Sequence, residues 1–251
     1  MNVCAFTSIC EEDRIWIPQY LAEAERLHMP FVMHFDRCAK ELMEIFKDSK
    51  YCVGATAQLD KSIEFNETHK QALLDEVVAI NGCTNDKYGK LNFHWAMAWD
   101  IDETYEKHAR RKIKEFTYTQ FSSANKWDLV DTRWVNLWGD SKHIRTDGPF
   151  ASGHRVKFYN LRSGRWKFDS PITNGAKLLD KKGNFKGNVK VRKSDLVCLH
   201  WGMMTRELRE LHKKRWDRIY SAAVGNNPYG FWNYACDEET YPPVLKEHDY
   251  L

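Results

Sequence analysis

The chain has 251 residues, of which 43% are hydrophobic and 14% aromatic, enough to build one sizeable core, so a single domain over residues 1–251 is expected. Charged residues make up 29%, the mean hydropathy is −0.64, and the lack of a long apolar run excludes a membrane-spanning helix. The amino-terminal residues lack the basic segment of a signal peptide, and the seven cysteines contain no C-x-x-C pair. These features predict a cytoplasmic protein with buried, reduced thiols.

Charge is distributed unevenly along the chain. Residues 1–104 carry 10 Lys+Arg against 18 Asp+Glu, whereas residues 105–235 carry 27 against 12, a net charge of +15. Tryptophan, tyrosine and phenylalanine residues are interleaved with the basic residues of this second segment. A polyanionic partner such as nucleic acid fits this pattern. The alternative is a solvated basic face that serves only a nucleotide diphosphate.

The first part of the chain alternates between predicted strands and predicted helices. Strands are expected at 2–7, 31–35, 51–55 and 91–99, with amphipathic helices at 17–27, around 42–46, and after a cap at Asn66 or Thr68. A further helix is expected over 103–116. This alternation predicts an α/β fold with a largely parallel sheet and right-handed crossovers. Ligands of such sheets bind at the carboxyl ends of the strands, where Asp36, Asp100 and Asp102 fall.

Beyond residue 130 the pattern is richer in strands. Residues 132–138 and 156–161 alternate between polar and apolar side chains, and the turn at 162–164 predicts a hairpin into a strand at 165–168. A last apolar strand is expected at 195–200, followed by a strongly basic helix at 204–220.

An acidic motif, Asp100-Ile101-Asp102-Glu103, follows the apolar strand at 91–99. Where a strand breaks into a turn, both aspartates can converge on one Mg²⁺ or Mn²⁺ ion that keeps positions open for a substrate diphosphate. The same acidic residues also suit the first turn of a helix. The motif alone leaves both interpretations open.

Residues 93–103 (FHWAMAWDIDE) resemble the strand-to-D-x-D segment of family-2-type GT-A glycosyltransferases, in which a W-x-x-x-x-D-x-D-E run is frequent. The start of the chain, with a strand, a polar turn, a helix and a strand ending in aspartate, is similar to that family too. The resemblance covers roughly residues 2–120 and more loosely 150–205, and beyond these there is only a general likeness to phage-encoded transferases. It implies a GT-A, Rossmann-like fold: a mixed, mostly parallel sheet with helices on both faces. Residues 1–104 would form the nucleotide-sugar-binding half and 105–251 the acceptor-binding half.

The resemblance also implies a binding site for the nucleotide part of the donor. Thr7, Glu11 and Asp36 would contact the nucleoside. Asp36 is followed by Arg37-Cys38 instead of the family's usual Asp-x-Ser, which puts its role in doubt. Lys70 would meet the diphosphate, with an exposed helix lysine as the alternative.

A metal site and a catalytic base complete the implied machinery. His200, at the end of the last predicted strand, would join Asp100 and Asp102 as a metal ligand and would favour Mn²⁺, although a structural histidine is the alternative. An inverting transfer needs a carboxylate that takes a proton from the acceptor hydroxyl. Asp169 is preferred for this role over Asp147, and a turn-forming aspartate is the alternative for each.

The chain is therefore expected to be a metal-dependent, inverting glycosyltransferase that moves a hexosyl or pentosyl group from a nucleotide sugar, UDP-linked in most of the family, to a hydroxyl group. The +15 segment favours 5-hydroxymethylpyrimidine in phage DNA as the acceptor. Its candidate phosphate contacts are Arg133, Arg155, Lys157, Arg162, Arg165, Lys167, Arg192 and Lys193, with the basic helix residues 206–218. The alternatives are a glycan or cell-envelope acceptor, and a non-catalytic nucleic-acid-binding module with a degenerate transferase fold.

Overall fold

The computed structural model describes residues 2–37, 40–58, 68–118, 127–151, 153–168, 176–180, 182–224 and 235–251. The helices in these ranges are α1 Ile17–Leu27, α2 Lys40–Lys47, α3 Thr68–Ile80, α4 Ala109–Tyr118 and α5 Arg206–Val224. The strands are β1 Val3–Ile9, β2 Phe31–Asp36, β3 Cys52–Gln58, β4 Thr84–Asn85, β5 Gly89–Lys90, β6 Trp95–Ala98, β7 Glu103–Tyr105, β8 Leu129–Trp138, β9 Asp140–Arg145, β10 Gly153–Asn160, β11 Arg165–Phe168, β12 Ala176–Leu179, β13 Val191–His200 and β14 Leu245–Glu247. Within the described part of the chain, no helix has the length and apolar character needed to cross a membrane.

The chain forms two compact units that are each assembled from several segments. The first unit comprises Met1–Ile101, His108–Thr132 and Arg155–Leu196, and the second comprises Asp102–Lys107, Arg133–His154 and Val197–Leu251. The acidic motif is thus divided, with Asp100 in the first unit and Asp102 in the second. The single domain and its two halves meeting at residue 104 stay predictions.

The sheet of the first unit is mostly parallel. Its strand order is β3-β2-β1-β6-β10. The pairs β3 with β2, β2 with β1 and β1 with β6 are parallel, and only β10 is antiparallel to its neighbour β6. An order of 3-2-1, with a later strand on the other side of β1, is the Rossmann-like arrangement, in which the strand order reverses beside β1. The predicted α/β class and the largely parallel sheet are confirmed.

Both faces of this sheet are covered by helices, as predicted. Phe31 of β2 packs edge-on against Tyr20 of α1 and Phe46 of α2 on one face. Val32, the next residue of the strand, points to the other face and lies in a buried cluster with Val77 of α3. Burial of each such side chain stabilises the fold by roughly 1.5–3 kcal/mol. Because successive residues of β2 are buried on opposite faces of the sheet, the strand begins as a continuous apolar run in the sequence.

The strand pairs β7–β13 and β9–β14 of the second unit are antiparallel. One of these strands takes the place of part of a predicted helix. The helix expected over 103–116 begins only at Ala109. Glu103, Thr104 and Tyr105 instead form β7, which pairs antiparallel with the last three residues of β13. All three side chains are buried, and this pairing satisfies their backbone groups. In the same unit, β9 pairs antiparallel with β14.

The hairpin predicted from the turn at 162–164 is also wrong. The strand β11 exists, but it pairs antiparallel with β12 and not with the strand before the turn. Trp166 and Phe168 of β11 belong to the buried cluster that includes α3. Gln71 of α3 accepts a hydrogen bond from the Phe168 amide at 2.9 Å. These contacts with α3, which are distant in sequence, decide where the strand packs.

Candidate metal centre and nucleotide site

Three side chains of the second unit each bring one ligand atom into a small shared space. Asp102, His200 and His212 place a carboxylate oxygen and two imidazole nitrogens within 4.8 Å of one another. Asp102 Oδ2 lies 3.0 Å from His200 Nε2 and 3.3 Å from His212 Nε2. The side chains are 8%, 12% and 18% exposed, respectively. One carboxylate with two imidazoles is a donor set that binds divalent transition metals. These residues form the histidine–aspartate cluster.

Strand pairing explains why Asp102 and His200 meet. β7 and β13 run antiparallel with Glu103 opposite His200. The Trp201 amide then donates a hydrogen bond to the Asp102 carbonyl at 2.9 Å. Because this register aligns the residue before β7 with the end of β13, the Asp102 and His200 side chains become neighbours.

Helix α5 supplies the third member of the cluster. His212 lies three residues after Arg209, so both side chains are on the same face of the helix. The side chain of Arg209 is 2% exposed, and its Nη2 donates to Glu238 Oε1 at 2.7 Å. Its Nη1 also donates to the Met203 carbonyl at 3.0 Å. Arg209 therefore fixes the rotation of α5 that presents His212 to the cluster.

His212 was missed by the sequence analysis, which placed it among the basic helix residues 206–218 as part of a phosphate-binding segment. A sequence signal exists in hindsight, since His212 is a histidine in a helix rich in Lys and Arg that directly follows the strand-end His200. Its partnership with Asp102 depends on tertiary packing, which the pattern of residues in α5 does not encode.

The surroundings of His200 orient its ring toward the cluster. Its Nδ1 lies 2.7 Å from Asn136 Oδ1, and because that oxygen can only accept, Nδ1 donates the hydrogen bond. The ring stacks on Trp134 with a centroid distance of 4.7 Å. Trp134 is itself held by a 2.9 Å hydrogen bond from its Nε1 to Glu103 Oε1. In metalloproteins, a hydrogen bond from Nδ1 of a ligand histidine to a neighbouring oxygen fixes the ring so that Nε2 can bind the metal.

Gly202 leaves the space that a cation needs. A Cβ atom at this position would lie 2.3 Å from Asp102 Oδ2, 2.4 Å from His212 Nε2 and 3.0 Å from His200 Nε2. Any larger residue would fill the point toward which the three ligand atoms converge. The donor set and the space beside Gly202 therefore fit a divalent metal ion.

Electrostatics within the cluster keeps its carboxylate ionised. Burial alone would raise the pKa of Asp102, but the charge and hydrogen bond of His200, followed by those of His212, outweigh burial. The pKa of Asp102 is consequently held well below its usual range. An ionised carboxylate beside two imidazoles that can release protons is prepared to exchange those protons for a metal.

Asp100, the other predicted aspartate ligand, has a different partner in the first unit. Its Oδ2 accepts a 3.2 Å hydrogen bond from Lys157 Nζ. The Lys157 side chain is 1% exposed, whereas Asp100 is 48% exposed. The structure therefore places Lys157, a predicted phosphate contact, as a buried counter-charge to Asp100.

The predicted nucleoside contacts lie in the first unit, at or after the carboxyl ends of β1 and β2. Thr7 is 3% exposed, and its Oγ1 has no hydrogen-bond partner among the residues that the structure describes. Asp36 is buried and forms a 2.8 Å ion pair with Arg37, whose φ of 56° is left-handed. Glu11 is exposed in a 3₁₀ turn, and Lys70 lies in the first turn of α3. A buried hydroxyl that has no partner in the described structure is a group that a ligand can satisfy.

Of the two predicted catalytic bases, the structure describes only Asp147. Asp147 accepts hydrogen bonds from Arg145 Nε at 3.0 Å and from the Val244 amide at 2.8 Å. Arg145 is fully buried, so its ion pair with Asp147 has a structural role near β9 and β14. Asp169 lies outside the described residues.

The remaining predicted phosphate contacts differ in exposure. Those exposed, all in the first unit, are Arg155, Arg162, Arg165, Lys167 and Lys193. Arg192 is partly buried in the first unit, and Arg133 of the second unit lies 5.9 Å from the Tyr250 ring. The exposed residues are the ones available to contact a polyanion.

Comparison with known proteins gives a likeness in structure but none in sequence. No protein-family model matches the chain, and no curated protein matches it in sequence. Among solved structures, it is similar to a protein from Desulfovibrio desulfuricans G20 that is provisionally named a nucleotide-diphospho-sugar transferase. The match covers 96% of both chains with 9% identity and a TM-score of 0.40. The site described above rests on the residues of this chain.

Proposed function

We propose that this protein is a metal-dependent glycosyltransferase that uses a nucleotide sugar as donor. The observation that supports this most is the histidine–aspartate cluster: three inward-facing ligand atoms, with the open space beside Gly202. The Rossmann-like strand order of the first unit supplies a nucleotide-binding topology. The resemblance of residues 93–103 to the D-x-D segment of family-2-type enzymes points to the same chemistry.

The metal expected in this cluster is Mn²⁺. Mg²⁺ prefers an all-oxygen shell, whereas two imidazoles suit softer divalent ions. A bound divalent ion would stabilise the negative charge that grows on the departing nucleoside diphosphate. In this chain, Asp102, His200 and His212 would hold the ion, and Asn136 would keep Nε2 of His200 directed at it.

Residues of the first unit would bind the nucleoside. Thr7 offers a hydroxyl whose hydrogen-bonding capacity is unused within the described structure, and Asp36 offers a buried carboxylate at the end of β2. UDP is the proposed nucleotide, following the resemblance. Lys70, in the first turn of α3, remains a proposed diphosphate contact. Inversion, with Asp169 as the base, is part of the proposal. Asp147 is the less suitable candidate because Arg145 already holds its carboxylate.

For the acceptor, we propose the hydroxymethyl group of a modified pyrimidine in DNA. The +15 charge of residues 105–235 and the exposed Arg155, Arg165 and Lys167 support a polyanionic acceptor. Neutralisation of DNA phosphates by such residues makes binding strongly dependent on salt. A neutral glycan acceptor would lack this dependence.

A donor-by-acceptor assay tests the proposal. UDP release would be measured from several UDP-sugars with hydroxymethylcytosine DNA, hydroxymethyluracil DNA and simple glycans, in Mn²⁺ and in EDTA. We expect transfer in Mn²⁺ that EDTA abolishes, because the cluster needs its ion. Replacing His212 by Ala should lower the rate by at least about tenfold, since a metal ligand is lost.

The matched control is His143→Ala, which changes a histidine of the same unit that pairs with Asp140 outside the cluster. Near-normal turnover is expected for this control. Transfer that is equally fast in EDTA, or equally slowed in both variants, would contradict the role of the cluster. Transfer to glycans but not to DNA would retain the transferase and replace its acceptor.

A further inference from the structure

A second group of ionisable side chains lies in the first unit, near the amino-terminal ends of β2 and β3. It surrounds a cavity of about 270 Å³ and consists of His28, Lys50, Tyr51, Lys87, Tyr88, Arg110 and Lys114, which together form the basic pocket. These residues come from the end of α1, the turn before β3, the turn between β4 and β5, and the start of α4. The proposed nucleoside contacts belong to the opposite, carboxyl-terminal edge of the same strands. The basic pocket is therefore separate from them.

The side chains that line the basic pocket include several cations and no carboxylate. Four of its side chains are lysine or arginine, and none is acidic. Arg110 Nη2 lies 3.0 Å from His28 Nδ1, Lys50 Nζ lies 5.0 Å from the centre of the Tyr51 ring, and Lys87 donates to a backbone carbonyl. Across the described ranges, none of the four cations forms a salt bridge with a carboxylate. The pocket therefore holds a concentrated positive potential.

The amino-terminal end of helix α4 lacks the acidic residues that usually occur there. Its first turn contains no acidic residue, although acidic side chains are the ones that the amino-terminal end of a helix favours. Two of its cations, Arg111 and Lys112, have carboxylate partners. Arg110 and Lys114, which face the pocket, have none within the described part of the chain. Departures from local preference without compensation are expected at functional sites.

The pKa of His28 is affected by the same positive charges. Its pKa is lowered, first by desolvation and then by the charges of Arg110, Lys50 and Lys114, against the opposing charge of Glu25. A neutral His28 can accept the hydrogen bond from Arg110 without adding to the repulsion. The phenol groups of Tyr51 and Tyr88, whose rings lie 6.2 Å apart, add donors without charge.

We propose that the basic pocket binds a phosphate group, either of a small phosphorylated molecule or of a nucleic-acid backbone. Guanidinium and ammonium groups are the side chains that bind phosphate most strongly, and arginine can do so through two parallel hydrogen bonds. The cavity is slightly smaller than the range of about 300–1,000 Å³ that drug-sized ligands occupy, which fits a phosphate with a small attached group. This site does not rest on the proposed sugar transfer, although binding of a nucleic-acid backbone here would connect it with the proposed DNA acceptor.

Calorimetric titration with two probes tests this site at one fixed ionic strength. Inorganic phosphate represents the small-molecule source, and a short DNA duplex represents the nucleic-acid source. The pocket variant combines Lys50→Gln, Lys87→Gln and Lys114→Gln. The control variant combines Lys142→Gln, Lys182→Gln and Lys246→Gln, which removes the same charge from exposed positions outside the pocket.

We expect the wild-type protein to bind at least one probe saturably. The pocket variant should bind that probe at least about tenfold more weakly, because three charge-assisted contacts are lost, while the control variant stays close to wild type. A loss with inorganic phosphate identifies a small-molecule source, and a loss with the duplex alone identifies a phosphodiester. Equal effects of the two variants, or no saturable binding of either probe, would overturn the proposal.

Discussion

The histidine–aspartate cluster of the second unit and the basic pocket of the first unit suit ligands of opposite charge. The cluster contains one carboxylate and two imidazoles, which can release protons and become electron-pair donors. The pocket contains lysines and an arginine, whose nitrogen atoms act only as hydrogen-bond donors. The difference teaches that the acid–base chemistry of the lining, and not the number of polar groups, decides whether a site takes a cation or an anion.

The largest expected effect is the loss of the only carboxylate in the cluster. Asp102→Ala should weaken Mn²⁺ binding by more than about 100-fold, because the two imidazoles that remain carry no negative charge to oppose that of the ion. Calorimetric titration with Mn²⁺ measures this. Asp140→Ala is the control, since it removes an exposed aspartate of the same unit. If both variants bound Mn²⁺ like wild type, a cation site at the cluster would be ruled out.

A smaller but still large effect is expected from closing the space beside the ligands. Gly202→Ala adds a Cβ that would lie 2.3 Å from Asp102 Oδ2, so the ligands and the ion can no longer share this space. We expect Mn²⁺ affinity to fall by about 10–100-fold, the range seen when the setting of a metal ligand is disturbed. Gly153→Ala is matched to it, because the added Cβ would meet no atom within 4 Å. The prediction is wrong if the two alanine variants bind equally well.

Asp100 differs from Asp102 because it pairs with the ammonium group of Lys157 instead of with imidazoles. Asp100→Asn should lower the free energy of unfolding by about 1–3 kcal/mol, because it removes the carboxylate charge that pairs with the buried Lys157 ammonium group. Adding Lys157→Met should restore most of this loss. Mn²⁺ affinity is expected to stay close to that of wild type. Weaker Mn²⁺ binding would instead support the predicted ligand role of Asp100.

The smallest expected effect is on how the stability of the metal-free protein against unfolding depends on pH. The pKa of Asp102 is lower in the folded chain than its ordinary value of 3.8, so the ionised carboxylate stabilises the fold above that value. This contribution is lost as the pH falls below 3.8 toward the folded pKa. Urea unfolding in EDTA should show wild type more stable than Asp102→Asn at neutral pH, with the difference shrinking in acid. A difference that grows in acid would contradict the depressed pKa.

Local patterns in the sequence predicted most of the first unit. The apolar spacing of residues 17–27 predicted α1 with the observed bounds, and the strand at 31–35 differs from β2 by one residue. These elements were predictable because each buries one face or one continuous run against the core. The strand ends were therefore located well enough to place Asp36 and Asp102 near the carboxyl edges of strands.

Contacts between distant residues could not be predicted in this way. Glu103 follows acidic residues and precedes a helix-like stretch, so the local pattern favoured a helix. Its pairing with His200 depends on β13, almost a hundred residues later. The same holds for Lys157, whose burial against Asp100 is invisible in a basic segment, and for His212, whose partner is Asp102. The candidate site was predicted where it depends on strand ends and missed where it depends on packing.

The most direct test of the central claim is a pulsed electron paramagnetic resonance measurement on Mn²⁺ bound to protein labelled with ¹⁵N-histidine. Coupling between the ion and the imidazole nitrogens counts the histidines that bind the metal. Binding by His200, His212 and Asp102 predicts two coupled histidines in wild type and one in His212→Ala. Mn²⁺ that shows no histidine coupling in the wild-type protein would contradict the claim.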